Sequence, residues 1–304
     1  MLTHGRTFSP PNSHRPRRRR CRQWRSFITG ETMTHPHRRI AIVANAAAAA
    51  ALTAAVAIPA SAQQTAAANS DTKITLGLGA AYMPRYAGSD EYKAAALPVI
   101  SVVTPWGGFI DAGEGIGYRH TFGDKFIASA ALGYDAGRKD SNQNFKPGSD
   151  KLKGMGEVKG AALLNLSLGY RLTQNLTLSA GASQPLSNRD RGRNYYAKVD
   201  ATVMTMPRDK LAVAGSALFG SDDYNQSYFG VTANQSATSG FKKYTPGSGL
   251  YAVKAAITWT HRFDDNWSLL AATEATRYMT KAGDSPIVKA RTNYGTMAAV
   301  NYTF

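Results

Sequence analysis

Alternation at period two is the feature that most limits what this chain can become. Val158, Gly160, Ala162, Leu164, Leu166, Leu168, Tyr170 and Leu172 are small, apolar or aromatic, while Glu157, Lys159, Asn165, Ser167 and Arg171 hold the other parity, with Leu163 the exception. Successive side chains of an extended strand point to opposite faces, so this segment offers one face to lipid or core and the other to water. Phe126, Ala128, Ala130, Leu132 and Tyr134 repeat the pattern against Ser129, Gly133 and Asp135. Tyr195, Ala197, Val199, Ala201 and Val203 do so against Lys198, Asp200 and Thr202. So do Tyr251, Val253, Ala255, Ile257, Trp259 and Phe263 against Lys254, Thr258, Thr260 and Arg262. Soluble sandwich strands run to roughly five or six residues; these runs approach the about nine to eleven of a membrane barrel strand.

Turn residues set the topology. Short polar turns at 122–125, 173–175, 207–210 and 264–266 alternate with longer connections rich in Gly, Ser, Asn and Asp, the longest at 137–155 and 222–249. Tight periplasmic turns alternating with extended outer loops are the rhythm of outer-membrane barrels. The segments counted from Lys73 predict an all-β fold, a transmembrane antiparallel up-and-down barrel of about 12 strands, an even number that leaves both termini in the periplasm. Beyond Gln63 no apolar run reaches the roughly 18–20 residues of a spanning helix.

The last strand carries Tyr294, Thr296, Ala298, Val300, Tyr302 and Phe304 on one parity and ends on the aromatic Phe304. An aromatic end on an amphipathic strand resembles the signal read by the barrel assembly machinery, which makes Tyr302 and Phe304 the candidate assembly signal. Tyr251, Trp259, Phe263, Trp267 and Tyr302 are expected in the interfacial girdles that contact outer-membrane lipid.

Net charge first suggests a different partner. The formal charge is +16, from 36 Lys plus Arg against 20 Asp plus Glu, as in chains that bind nucleic acid. Its location argues otherwise, because the first 62 residues hold ten Arg and a single acid, Glu31, which is +9 of the total. The stretch 40–58 is an Ala-dominated apolar run behind Arg38 and Arg39, and Pro59, Ala60, Ser61 and Ala62 follow it. Basic start, apolar middle and small-x-small end form a secretory signal peptide, with Sec export and cleavage after Ala62 expected. Asn45 interrupts the run, which leaves it too short for a permanent span. The signal is complete from Met33, so 1–32 reads as an extension from a start codon placed too far upstream, 33–62 as the signal peptide and 63–304 as the barrel. The true start, Met1 or Met33, stays open. With the export label gone, no nucleic-acid partner is expected.

The only Cys, Cys21, and four of six His also lie in that label. His120 and His261 alone cannot assemble a Cys- or His-based zinc site, and no cofactor is expected. A Ser nucleophile needs a base and an orienting third group, and no G-x-S-x-G elbow accompanies either His. The chain is therefore expected not to be an enzyme. GLGAAY lies within a strand pattern and opens no helix, so it is no dinucleotide fingerprint; its small residues suit curvature or close lumen packing. In PRYAGSDEY, Pro84, Tyr86, Gly88, Ser89 and Asp90 form either a ligand-binding or lumen-folding loop, or simply a turn. The polar-parity charges Glu157, Lys159, Arg171, Lys198, Asp200, Lys254, Arg262 and Glu274 are the candidate lumen lining. They serve either as a selectivity lining or as a salt-bridge network filling a narrow barrel.

Five segments together resemble the MipA/OmpV family of MltA-interacting proteins. They are GLGAAYMPRYAGSDEYKAAALPVISV (77–102), GEGIGYR (113–119), LKGMGEV (152–158), YFGVTANQSATSG (228–240) and THRFDDNWSLLAATEATRYMTKAGDSPIV (260–288). The resemblance implies an outer-membrane barrel of Gram-negative cells. It further implies a scaffold that brings a lytic murein transglycosylase and a murein synthase together during peptidoglycan growth. Other members of the family are porin-like, which makes a small passive channel the alternative. The family supplies no catalytic motif to carry over.

Overall fold

A computed structural model describes residues 71–304. The expected extension, signal peptide and cleavage site fall outside the described residues. From Lys73 onward twelve strands follow: β1 (Lys73–Pro84), β2 (Tyr92–Val103), β3 (Gly108–Asp111), β4 (Gly115–Phe122), β5 (Phe126–Asp135) and β6 (Ala161–Thr173). The second half comprises β7 (Leu176–Pro185), β8 (Asn194–Thr205), β9 (Asp209–Gly220), β10 (Gly249–Arg262), β11 (Trp267–Tyr278) and β12 (Thr292–Thr303). Each strand is antiparallel to its neighbours and the sheet closes where β1 pairs with β12. The 12-stranded up-and-down barrel expected from alternation is the fold observed.

Closure depends on small residues. Gly77 and Gly79 of β1 lie against β12 so closely that a Cβ would fall 2.1 Å from Asn301 Oδ1 and 2.4 Å from the Ala298 carbonyl. This is the close packing to which GLGAAY is suited. The final bond of the seam runs from Phe304 N–H to the Ile74 carbonyl, at 2.9 Å.

The outer wall follows the parity. Leu76, Leu78, Leu132, Leu166, Leu168, Val199, Ile257 and Val300 all point outward and are exposed, Leu78 to 69%. Aromatic residues border this band at both ends. Tyr82, Tyr134, Tyr195, Phe219 and Tyr294 ring one rim; Phe122, Phe126, Tyr170, Trp259, Phe263, Trp267 and Tyr302 ring the other. An apolar belt between two aromatic girdles is what a bilayer demands of a barrel.

Tyr251 departs from its expected place. A register shift between Leu250 and Ala252, opposite Phe219 and Leu218, makes Tyr251 the extra residue of a bulge. It turns inward, 7% exposed, against Phe229 and Tyr224. One inserted residue reverses the parity of everything before it, which period-two counting cannot detect.

The two rims differ. One carries only short turns; the other carries long connections at 85–91, 136–160, 186–193, 221–248 and 279–291, joined by the brief turn 112–114. Within the long connections lie α1 (Asp222–Phe229), α2 (Ala233–Ser239) and α3 (Thr280–Gly283). Ser221 caps α1, while Thr232 and Gln235 form a reciprocal capping box on α2. Such caps satisfy the orphan N–H groups of short helices.

Candidate functional site: the capped lumen

The long connections fold over the barrel mouth and lock together. Tyr86, Leu152, Met155, Val231 and Ile287 form one apolar cluster, drawn from four connections. Phe229, Tyr251, Ala252, Tyr278 and Ala282 form a second beneath it. Hydrogen bonds join the same parts: Tyr86 OH donates to the Ile287 carbonyl at 2.9 Å, and the Asn293 amide accepts from Gly88 N–H at 2.8 Å and donates to the Ser89 carbonyl at 2.7 Å. Gly88 has φ +88°, and its carbonyl receives the N–H groups of Lys289 and Ala290. Its αL conformation and the proximity of Val288 leave no space for a side chain. The segment PRYAGSDEY is thus a lumen-folding piece of the cap, with Tyr86 2% exposed and Ser89 fully buried. Asp90 remains at the surface, where the Lys151 ammonium, 2.7 Å away, holds its carboxyl below the usual range.

A polar clamp ties the cap to the wall. Arg191 makes a 2.6 Å ion pair with Asp135 and contacts the Tyr228 hydroxyl, while buried Arg138 donates to the Tyr228 carbonyl at 2.6 Å. Burial, reinforced by Asp135, raises the Tyr228 hydroxyl well above an ordinary phenol. The same cause, with Asp90 nearby, pushes Tyr86 up to about 12.

Beneath the cap lies a cavity of about 580 Å³. Lys198, Asp200, Lys254 and Glu274 line it. Lys198 and Asp200, two residues apart on β8, pair at 2.8 Å, and Lys254 of β10 pairs with Glu274 of β11 at 3.1 Å. A third lining pair, Glu114 with Arg119 at 2.6 Å, was not among the candidates. Arg119 also stacks 4.7 Å over Phe109. The signal was available: Arg119 alternates with outward Tyr118 and His120 on β4. Ala81, Met83, Leu270, Ala272, Met297 and Ala299, on β1, β11 and β12, form an apolar cluster that adjoins Glu274 along β11 and is joined by Ala95, Leu97 and Val99 of β2.

The other four candidates lie elsewhere. Glu157 and Lys159 sit in the connection 136–160, because β6 begins at Ala161. Glu157 pairs with Lys139 at 2.5 Å, and the Lys159 carbonyl accepts from Arg191. Arg171 donates to the Asp124 carbonyl in a short turn, and exposed Arg262 approaches Asp265 at 3.5 Å. Alternation that runs past a strand end looks like more strand, and inward parity at the barrel rim leads to a turn instead of the lumen.

His261 shares the Asp209 carboxylate with Trp259 Nε1, both at 2.9 Å, and its ring meets Phe263 edge-on. His120 lies in an aromatic series with Tyr118 and Phe122. Both are rim residues. Among the described residues, no group of three His, Cys, Asp or Glu is arranged to hold a metal ion.

The profile of the family described as MltA-interacting protein MipA matches residues 76–304. Among solved structures, the KdgM porin aligns with a TM-score of 0.41 at 9% identity, over 76% of this chain and 99% of that one. An outer membrane channel from Pseudomonas putida F1 aligns at 0.43 and 13%, over 78% and 96% respectively. The NanC porin aligns at 0.39 and 10%, over 75% and 98%. No curated protein matches the sequence.

Proposed function

This chain belongs to the MipA family, and from that premise we propose that it is an outer-membrane barrel closed to passive flow, a scaffold without chemistry of its own at which murein synthesis and hydrolysis enzymes meet. The observation that carries the closed reading is the cap: four connections share one apolar cluster over the mouth. Paired charges support it further, since Lys198, Lys254 and Arg119 each face an acid, which suits a filled interior better than a charged selectivity ring. Support for the partners comes from the family's description as MltA-interacting. They are a lytic murein transglycosylase and a murein synthase.

Docking falls to the short-turn rim, which faces the periplasm in barrels of this kind. An ordinary interface needs about 800 Å² per partner. Single turns are too small, so the surface must combine several of them. Trp106 is exposed on one and Asp264 and Asp265 on another. Detergent-purified protein is expected to retain a lytic transglycosylase or a murein synthase from periplasmic extract. Retention of neither would refute the scaffold. The cavity itself favours a second reading, a small channel that opens when the cap moves; planar-bilayer recording separates the two.

A further inference from the structure

The barrel wall is incomplete on one side. β2 pairs with β1 along its whole length, but only Ser101, Val102 and Val103 pair with β3, which is four residues long. Residues 92–100 therefore form a sheet edge within the membrane-spanning wall. Which groups face the gap follows from parity. The Ile74 carbonyl is taken by Phe304 on the β12 side, so Ile74 and its even-numbered companions in β1 turn away from β2. Their partners Ala94, Ala96, Pro98 and Ile100 in turn face away from β1. Thr104, of the same parity, donates to Gly108, which confirms the direction. Among the described residues, the backbone groups of Ala94, Ala96, Pro98 and Ile100 on that side make no hydrogen bond.

An open sheet edge in contact with hydrocarbon is so costly that it persists only where it borders protein or a water-filled cavity. Here the cavity reaches the other margins of the gap. The sill of the gap is Asp111, Gly113 and Glu114, its far side Tyr134 and Asp135 beyond the last β4 partner, and its lintel Pro147; all six line the cavity. Lys93, at the top of β2, holds the lintel in place by donating to the carbonyls of Gln143, Asn144 and Lys146. The alternative occupant of an edge is an added strand. Pro98 opposes it, because it removes a donor midway along the edge, a common device against strand addition.

We propose that this gap is a lateral portal through which an uncharged amphipathic molecule with a single apolar chain passes between the bilayer and the cavity under the cap. The cavity volume, about 580 Å³, falls in the roughly 300–1,000 Å³ range of small-molecule sites. Its charges are already engaged: Glu114 pairs with Arg119, Lys198 with Asp200, Lys254 with Glu274 and Asp135 with Arg191, while Asp111 accepts from the Gly113 and Glu114 N–H groups and Arg138 donates to the Tyr228 carbonyl. Ile127, Ala131 and Leu163 are left to accept a chain. The portal is independent of whether murein enzymes dock at the other rim.

The test uses the complete barrel in phosphatidylcholine vesicles containing a long-chain alcohol that carries a photoactivatable diazirine. After illumination, the adducts are located by mass spectrometry. Inward Ile127, Ala131 and Leu163 are expected to be labelled along with outward Leu78. Gly113→Trp, at the sill, is expected to reduce inward labelling at least tenfold and to leave Leu78 unchanged. Labelling confined to outward side chains, or inward labelling indifferent to Gly113→Trp, would overturn the portal. A readout that needs no variant is amide exchange: Ala94, Ala96 and Ile100 should exchange at least tenfold faster than Ala95, Leu97 and Val99. Equal protection, or disulfide-linked dimers of Ala96→Cys, would replace the portal with an added strand.

Discussion

Asn293 concentrates the logic of the cap in a single side chain. It is buried on β12, and its amide bonds both Gly88 N–H and the Ser89 carbonyl. Asn293→Ala leaves two buried backbone groups unpaired, at a cost of about 1–3 kcal/mol each. The variant is expected to lose protease resistance in 85–91 while the barrel remains folded. Tyr86 gives the cap a pH limit. Its folded-state pKa, about 12, lies above the ordinary 10.0 because burial disfavours the phenolate. The contribution of Tyr86 is thus intact below about pH 10 and is lost as pH rises through about 12. Alkaline difference spectroscopy should find a late-titrating tyrosine that Tyr86→Phe removes. Composition hinted at neither role: Asn and Tyr are ordinary loop residues, and only the fold brings residues 86 and 88 to 287 and 293.

Single strands were legible in the sequence wherever one face met lipid. The apolar parity of Leu166, Leu168 and Tyr170 or of Val253, Ile257 and Trp259 is the outward face observed. Legibility failed where period two is broken or overrun. Tyr251 is displaced by a bulge, and the alternation before Ala161 belongs to a loop held by the bridge between Arg138 and Val158. Helices in the cap were missed altogether, since α2 is short and polar and owes its existence to tertiary contacts and its capping box. Thr232→Ala should therefore cost about 0.5–2 kcal/mol. The loss should be local, read as faster amide exchange in α2 with no change in the barrel strands, because Gln235 still donates to the Met155 carbonyl.

At the scale of the molecule, strand count and closure could be read from turn spacing, but the state of the lumen could not. Four of the eight candidate charges line the cavity. Lys198 and Asp200 are same-face neighbours on β8, but the pairing of Lys254 with Glu274 depends on diagonal neighbours across β10 and β11, which a one-dimensional parity does not specify. The cap likewise arises from long-range contacts among connections that look merely polar in sequence. Closure of the mouth is the central claim, and ion current through the folded barrel in a planar bilayer tests it most directly. The native protein should show no steady conductance, and replacing 221–248 by a short Gly-Ser linker should produce discrete open steps. A steady ohmic current from the native protein, matching that of the loop-deleted form, would contradict it.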